Sequence, residues 1–219
     1  MVHLGLFRSG RHTARPGWLA DFQSPQTALK AVLARVSQWI LKKLGWTLQV
    51  DLPNLDKYVA IAAPHTSNWD FPLGILAAKA IKLEVHWLGK HSLFRWPYGW
   101  FFRAIGGIPV RRGQGMNYMQ QLTDLFDRSE HLVLALAPEG TRAKTDHWKT
   151  GFHYIARAAK VPILMAFLDY GNKVVGIGGQ FYPGDDIHAD FRKIAEYYKD
   201  RRGKNPDKES LIRVRDKNR

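Results

Sequence analysis

A series of short apolar runs, each followed by a turn or a segment of helical character, constrains this chain more than any other feature. "KYVAIAA" (57–63), "EVHWLG" (84–89), "GGIPV" (106–110), "HLVLALA" (131–137), "VPILMAFLDY" (161–170) and "KVVGIGGQFY" (173–182) read as strands. "FPLGILAAKAIK" (71–82), "MNYMQQLTDLFDRS" (116–129), "GFHYIARAAK" (151–160) and a segment near 187–199 read as helices, the first with Pro72 in its opening turn. Strands alternating with helices predict an α/β fold: a single domain with a largely parallel or mixed sheet flanked by helices. A chain of 219 residues suffices for one substantial core.

The ends read differently. Residues 1–24 are punctuated by Gly, Arg and Pro and are expected to be mobile, and residues 25–200 form the domain. Residues 201–219 form a charged C-terminal tail with little to bury, expected to fray. From Ser24, "SPQTALKAVLARVSQWILKKLGW" predicts an N-terminal amphipathic helix, with Ser24 as its cap and Pro25 in its first turn. Two readings of this helix stay open. Its apolar stripe can pack on the core, or it can lie in a lipid headgroup layer with Trp39, Trp46 and the neighbouring lysines.

Charge narrows the partners. Lys and Arg total 33 against 19 acidic residues, a net +14 with a pI near 10.1. Such a field favours nucleic acid, an anionic membrane surface or phosphorylated substrates, unless it serves only solubility and a basic tail. Cysteine is absent, which excludes disulfides, thiolate nucleophiles and thiolate metal sites. No stretch reaches the roughly 18 apolar residues of a membrane span, so any membrane contact is expected at the surface. The Arg-bearing N-terminus lacks the apolar core of a signal peptide. The histidines show no metal-ligand spacing, and no metal or cofactor is expected.

The chemistry concentrates after strands. In "APHTSNWDFPLG" (63–74), His65 follows an apolar strand and Asp70 stands at the start of the next helix. In open α/β sheets ligands gather at the carboxyl ends of strands. A carboxylate on one imidazole nitrogen leaves the other free to take a proton. Asp70 could instead simply cap the helix. There is no Gly-x-Ser-x-Gly elbow, and Thr66 and Ser67 lie too near His65 in sequence to suit an in-line triad, though they stay open as nucleophiles. A base without a protein nucleophile activates a hydroxyl from outside, either water or an acceptor alcohol. Glu139, Gly140, Thr141 and Arg142 follow another apolar strand and offer amides, a hydroxyl and a guanidinium suited to phosphate. The same Glu139 and Arg142 could equally close a surface turn. Arg111 and Arg112 end a third strand, so the three clusters could share one sheet edge.

Taken in order, His65-x-x-x-x-Asp70, the Arg112 region and Glu139-Gly140-Thr141-Arg142 resemble the motif blocks of the glycerolipid acyltransferases, the 1-acylglycerol-3-phosphate or lysophospholipid acyltransferase family. The likeness spans roughly residues 57–170 and continues more loosely to about 205. It implies an acyl group passed from acyl-CoA or acyl-carrier protein to a lysophospholipid hydroxyl, with no acyl-enzyme and with the thioester as co-substrate. It also implies His65 as base and Asp70 as its orienter. Arg112, Arg111, Glu139, Gly140, Thr141 and Arg142 would bind the substrate, as would Lys90 in "GKHSLFRWPYG" (89–99). The implied fold has a hydrophobic groove for the acyl chain. The implied location is cytoplasmic, peripheral on the inner face of an anionic membrane. Pro64 departs from the family's usual asparagine, and "VPILMA" lacks a second proline, which leaves the acceptor unassigned. The run "LFRWPYGWFFRAIGG" (93–107) reads as core or as a headgroup-layer surface. Two rivals predict otherwise: a thioesterase, with His65 activating water, and a nucleic-acid-binding protein. No nucleic-acid motif supports the second, and no nucleic-acid partner is expected.

Overall fold

A computed structural model describes residues 25–110 and 115–215. The expected mobile segment 1–24, the cap Ser24 and the site candidates Arg111 and Arg112 lie outside the described residues. The elements run α1 (Pro25–Lys43), β1 (Thr47–Val50), β2 (Lys57–Ala63), α2 (Asp70–Ala80), β3 (Val85–Lys90), α3 (Gly99–Ala104) and β4 (Gly107–Val110). They continue with α4 (Gly115–Arg128), β5 (Leu132–Leu136), α5 (Gly151–Ala158), β6 (Ile163–Asp169), β7 (Val174–Phe181) and α6 (Ile187–Tyr198).

The strands form one seven-stranded sheet in the order β1-β7-β6-β2-β5-β3-β4. From β6 to β4 every pairing is parallel. β7 returns antiparallel to β6, and β1 pairs parallel to β7, so the sheet is mixed. Strand β1 was not anticipated. Its sequence, TLQV, is mostly exposed and carries no apolar run, so only its pairing with β7 makes it a strand.

Alternation along the central strands divides their residues between two unlike faces. Val59, Ile61, Leu132, Leu134, Ile163, Met165 and Phe167 point to one face. There they meet Phe126 of α4, Phe152 and Ile155 of α5, and Phe191 and Ile194 of α6 in the main core. Ala60, Val133, Ala135, Leu164 and Ala166 point to the other face. This face is covered by α2, with α1 packed on α2 through Leu41 and through a Gln38 Nε2–Ala80 O hydrogen bond of 2.8 Å.

The core-packing reading holds for one stripe of α1, and Trp46, expected at a headgroup layer, is instead buried in the cluster with Leu41. Ala34, Ser37 and Leu41 are buried, whereas Leu29, Val32, Leu33, Val36 and Trp39 stay exposed along the opposite stripe. The run 93–107 divides likewise. Phe94 and Phe102 pack against Trp87 at centroid distances of 6.0 Å, the latter edge-on, while Trp96, Tyr98, Trp100 and Phe101 face outward.

The expectation that the C-terminal tail frays is overturned for residues 201–215. The segment is pinned mainly by polar bonds, which hydropathy does not register. Tyr170 N donates to Arg202 O (2.8 Å), Leu211 N to Thr145 O (3.1 Å) and Trp148 N to Arg213 O (3.0 Å). Ile212 and Val214 then pack against the main core.

Candidate active site

His65 follows β2 at its carboxyl end, and Asp70 is the first residue of α2. The short turn between them folds the carboxylate back onto the ring. Asp70 Oδ2 lies 3.1 Å from His65 Nδ1 and accepts the Ser67 backbone N–H at 2.8 Å. Its other oxygen, Oδ1, accepts the Tyr170 hydroxyl at 2.8 Å. Asp70 is therefore not an N-cap: that position belongs to Trp69, which makes no side-chain cap bond. Instead, Asp70 places its charge in the first turn, where the helix dipole favours an anion.

Burial pushes the Asp70 carboxyl upward. The bonds from His65, Ser67 and Tyr170 outweigh it and hold the group below its ordinary value. An ionised carboxylate can only accept, so this contact favours the tautomer with the hydrogen on His65 Nδ1 and the lone pair on Nε2. The His65 side chain is 23% exposed and lines a large cavity.

Glu139 follows β5, which pairs directly with β2, so the two strand ends deliver His65 and Glu139 side by side. The buried Glu139 accepts the His65 backbone N–H through Oε1 at 2.5 Å and the Ser210 hydroxyl through Oε2 at 3.0 Å. Burial raises its pKa, and those two donors only partly offset the effect. Gly140 has φ +66°, and a Cβ there would meet Lys149 Nζ at 2.7 Å. Only glycine lets the lysine lie across this turn.

Gly140, Thr141 and Arg142 line the same cavity as His65 and Asp70, so the geometry brings most of the anticipated residues together. Thr141 Oγ1 accepts the Ala143 backbone N–H at 3.2 Å, an ordinary turn contact. Lys90 ends β3 on the same sheet edge but is not among the cavity-lining residues. Three contributors escaped the sequence reading. Tyr170 and Ser210 lie far along the chain from the groups they touch, and no local spacing marks them. Lys149, which also lines the cavity, looks like any surface lysine until Gly140 is seen beneath it.

The cavity measures about 1170 Å³, at or above the upper end of the roughly 300–1,000 Å³ of small-ligand clefts. One wall is α2, with Phe71, Gly74, Ala77 and Ala78; another is the sheet, with Ala60, Ala62, Ala135 and Ala166. Small residues on both walls explain the space: bulkier side chains at these positions would close it, as they do on the opposite face. A mainly apolar trough is thus lined by a histidine, a guanidinium and an ammonium as well. Among the described residues, no group of three or more His, Cys, Asp or Glu side chains is placed to hold a metal ion.

Comparison with known proteins gives a concordant result. The family model described as Acyltransferase matches residues 47–167. The 1-acyl-sn-glycerol-3-phosphate acyltransferase of Streptococcus pneumoniae is 30% identical over 117 residues, 52% of this chain and 42% of that protein. The chain thus spans less than half the length of that curated relative. The crystal structure of the 1-acyl-sn-glycerophosphate (LPA) acyltransferase PlsC from Thermotoga maritima superimposes with a TM-score of 0.56 at 17% identity. That match covers 81% of this chain and 80% of that one, and it is a likeness of fold.

Proposed function

The chain belongs to the acyltransferase family, and from that premise we propose that it moves a fatty acyl group from an acyl thioester to the hydroxyl of a lysophospholipid such as 1-acylglycerol-3-phosphate. One observation carries the reading: His65, with Nδ1 3.1 Å from the Asp70 carboxylate, lines a large, mainly apolar cavity. In this mechanism His65 Nε2 removes the proton from the acceptor hydroxyl, and the oxygen attacks the thioester carbonyl. Asp70 stabilises the resulting imidazolium. As the tetrahedral intermediate collapses, the C–S bond breaks and the imidazolium returns its proton to the leaving sulfur. The products are an ester and a free thiol, with no acyl-enzyme.

Arg142, Lys149 and the segment carrying Arg111 and Arg112 would hold the acceptor's phosphate, with Glu139 and Gly140 shaping the turn. The acyl chain would lie in the alanine-lined trough. Acyl-CoA or acyl-carrier protein is the donor in this reading. The substrates are lipids, and the exposed stripe of α1 with Trp96, Tyr98 and Trp100 would rest on an anionic bilayer. Among the described residues no helix is long and apolar enough to cross a membrane.

The test is radiolabelled acyl-CoA with a panel of lysolipid acceptors, comparing the native chain with His65→Ala. Acceptor-dependent ester formation that vanishes in the variant supports the proposal. Thiol release that no lysolipid increases would replace it with a thioesterase.

A further inference from the structure

We propose that residues 201–213 form a clasp that positions the catalytic pair, with Asn205 and Ser210 as positioning residues; the inference rests on the acyl-transfer reading above. The segment lies beyond the residues matched to the family. It nevertheless reaches three groups, each one bond from His65 or Asp70.

The first is Thr66, the buried neighbour of His65. Asn205 N donates to Thr66 Oγ1 at 3.1 Å, and Asn205 Nδ2 donates to Thr66 O at 2.8 Å. Gly203 brings the backbone so close that a Cβ there would sit 2.7 Å from Thr66 Oγ1. The second is Glu139, which bridges Ser210 Oγ and the His65 backbone N–H. Ser210 Oγ is itself fixed by the Thr145 backbone N–H at 3.1 Å. The third is Tyr170, whose hydroxyl holds Asp70 while its backbone N–H bonds Arg202 O.

Ile212 puts its side chain to closing the fold, against the main core. Asn205 and Ser210 instead spend theirs on the two residues that flank the His65 backbone, one on each side. General-base catalysis depends on that placement, because a misplacement of about 1 Å can cost on the order of 10²-fold in rate.

Full-length Asn205→Asp and Ser210→Ala separate positioning from folding. Asn205→Asp keeps the volume but sets a carboxylate oxygen against Thr66 O, where an N–H had donated. Each variant is expected to lower kcat about tenfold, with KM for both substrates unchanged within about twofold. Ser210→Thr, which keeps the hydroxyl, restores the rate, and Lys208→Ala in the same segment leaves it unchanged. Amide hydrogen exchange without substrate reads the same placement independently of activity: the peptide containing His65 and Thr66 exchanges faster in both variants, while that covering α6 does not. Unchanged kcat, a loss fully explained by a smaller folded fraction, or unchanged exchange at His65 and Thr66 would each overturn the clasp. If the native chain transfers acyl groups to no lysolipid, the functional reading fails by itself and the exchange result still decides the clasp.

Discussion

His65–Asp70 and His153–Asp190 are built from the same two side chains at similar separations, 3.1 and 2.9 Å, and both aspartates are buried. Their surroundings differ. Asp190 takes the Gly184 backbone N–H at 2.7 Å and Lys193 Nζ at 3.0 Å, in addition to His153 Nε2. Burial pushes its carboxyl up, and these partners bring it below the ordinary value, as happens at Asp70. The His153 side chain is only 1% exposed, and its other nitrogen, Nδ1, is buried without a partner. His65 is 23% exposed, and it lines the cavity. A histidine held by a carboxylate is therefore not yet a base. It becomes one when its other nitrogen faces a place a substrate can occupy. His153–Asp190 joins α5 to α6, and its work is structural.

Substituting the two histidines gives the largest expected contrast. His65→Ala should lower acyl transfer by about 10²–10⁴-fold while the thermal midpoint stays close to native. His153→Ala should leave kcat per folded molecule near native but lower unfolding free energy by about 3 kcal/mol, because a buried carboxylate loses a partner. Denaturant titration alongside initial rates checks both, and equal losses of activity without unfolding would break the distinction. Next comes the carboxylate. Asp70→Asn can still accept the Ser67 N–H but cannot stabilise an imidazolium, so kcat should drop on the order of 10²-fold or more. The same exchange at Asp190 should move stability rather than turnover.

A smaller effect separates the two faces of the sheet. Ala166→Leu fills the trough and should shift preference toward shorter acyl donors by about tenfold, read from kcat/KM across chain lengths. Met165→Leu, one residue earlier on the packed face, should cost under about 1.5 kcal/mol and leave chain preference alone. The smallest effect is on pH. Asp70 and Asp190 have lowered folded pKa values, so each stabilises the fold above the ordinary carboxylate range, and this is lost as pH falls through the lowered values. Glu139 has the opposite sign. Its raised folded pKa means that stability falls as pH rises from its ordinary value through the raised one. Glu139→Gln should flatten that part of the stability–pH curve, measured by chemical denaturation at stepped pH.

Much of this was legible locally. The pairing of His65 with Asp70 needs only one strand, one turn and one helix start, so five residues of sequence separation contain it. The link between Glu139 and His65 needed more: the sequence placed both after strands, but the direct pairing of β2 with β5 brought them together. Tyr170 and Ser210 lie 100 and 71 residues from their partners, and a window of any practical length misses them. The tail misled for a related reason. Its charge argued against burial, whereas what orders it is backbone and side-chain hydrogen bonding to distant loops.

The sequence by itself determined the alternation of strands and helices, the apolar character of the central strands and the pairing of His65 with Asp70, because these depend on periodicity and on neighbours a few residues apart. Tertiary structure decided which face of the sheet stayed open, which of two similar imidazoles met that opening, and how the last residues returned to brace it. Those outcomes depend on distances between chain segments, and such distances exist only once the sheet has set the order of its strands.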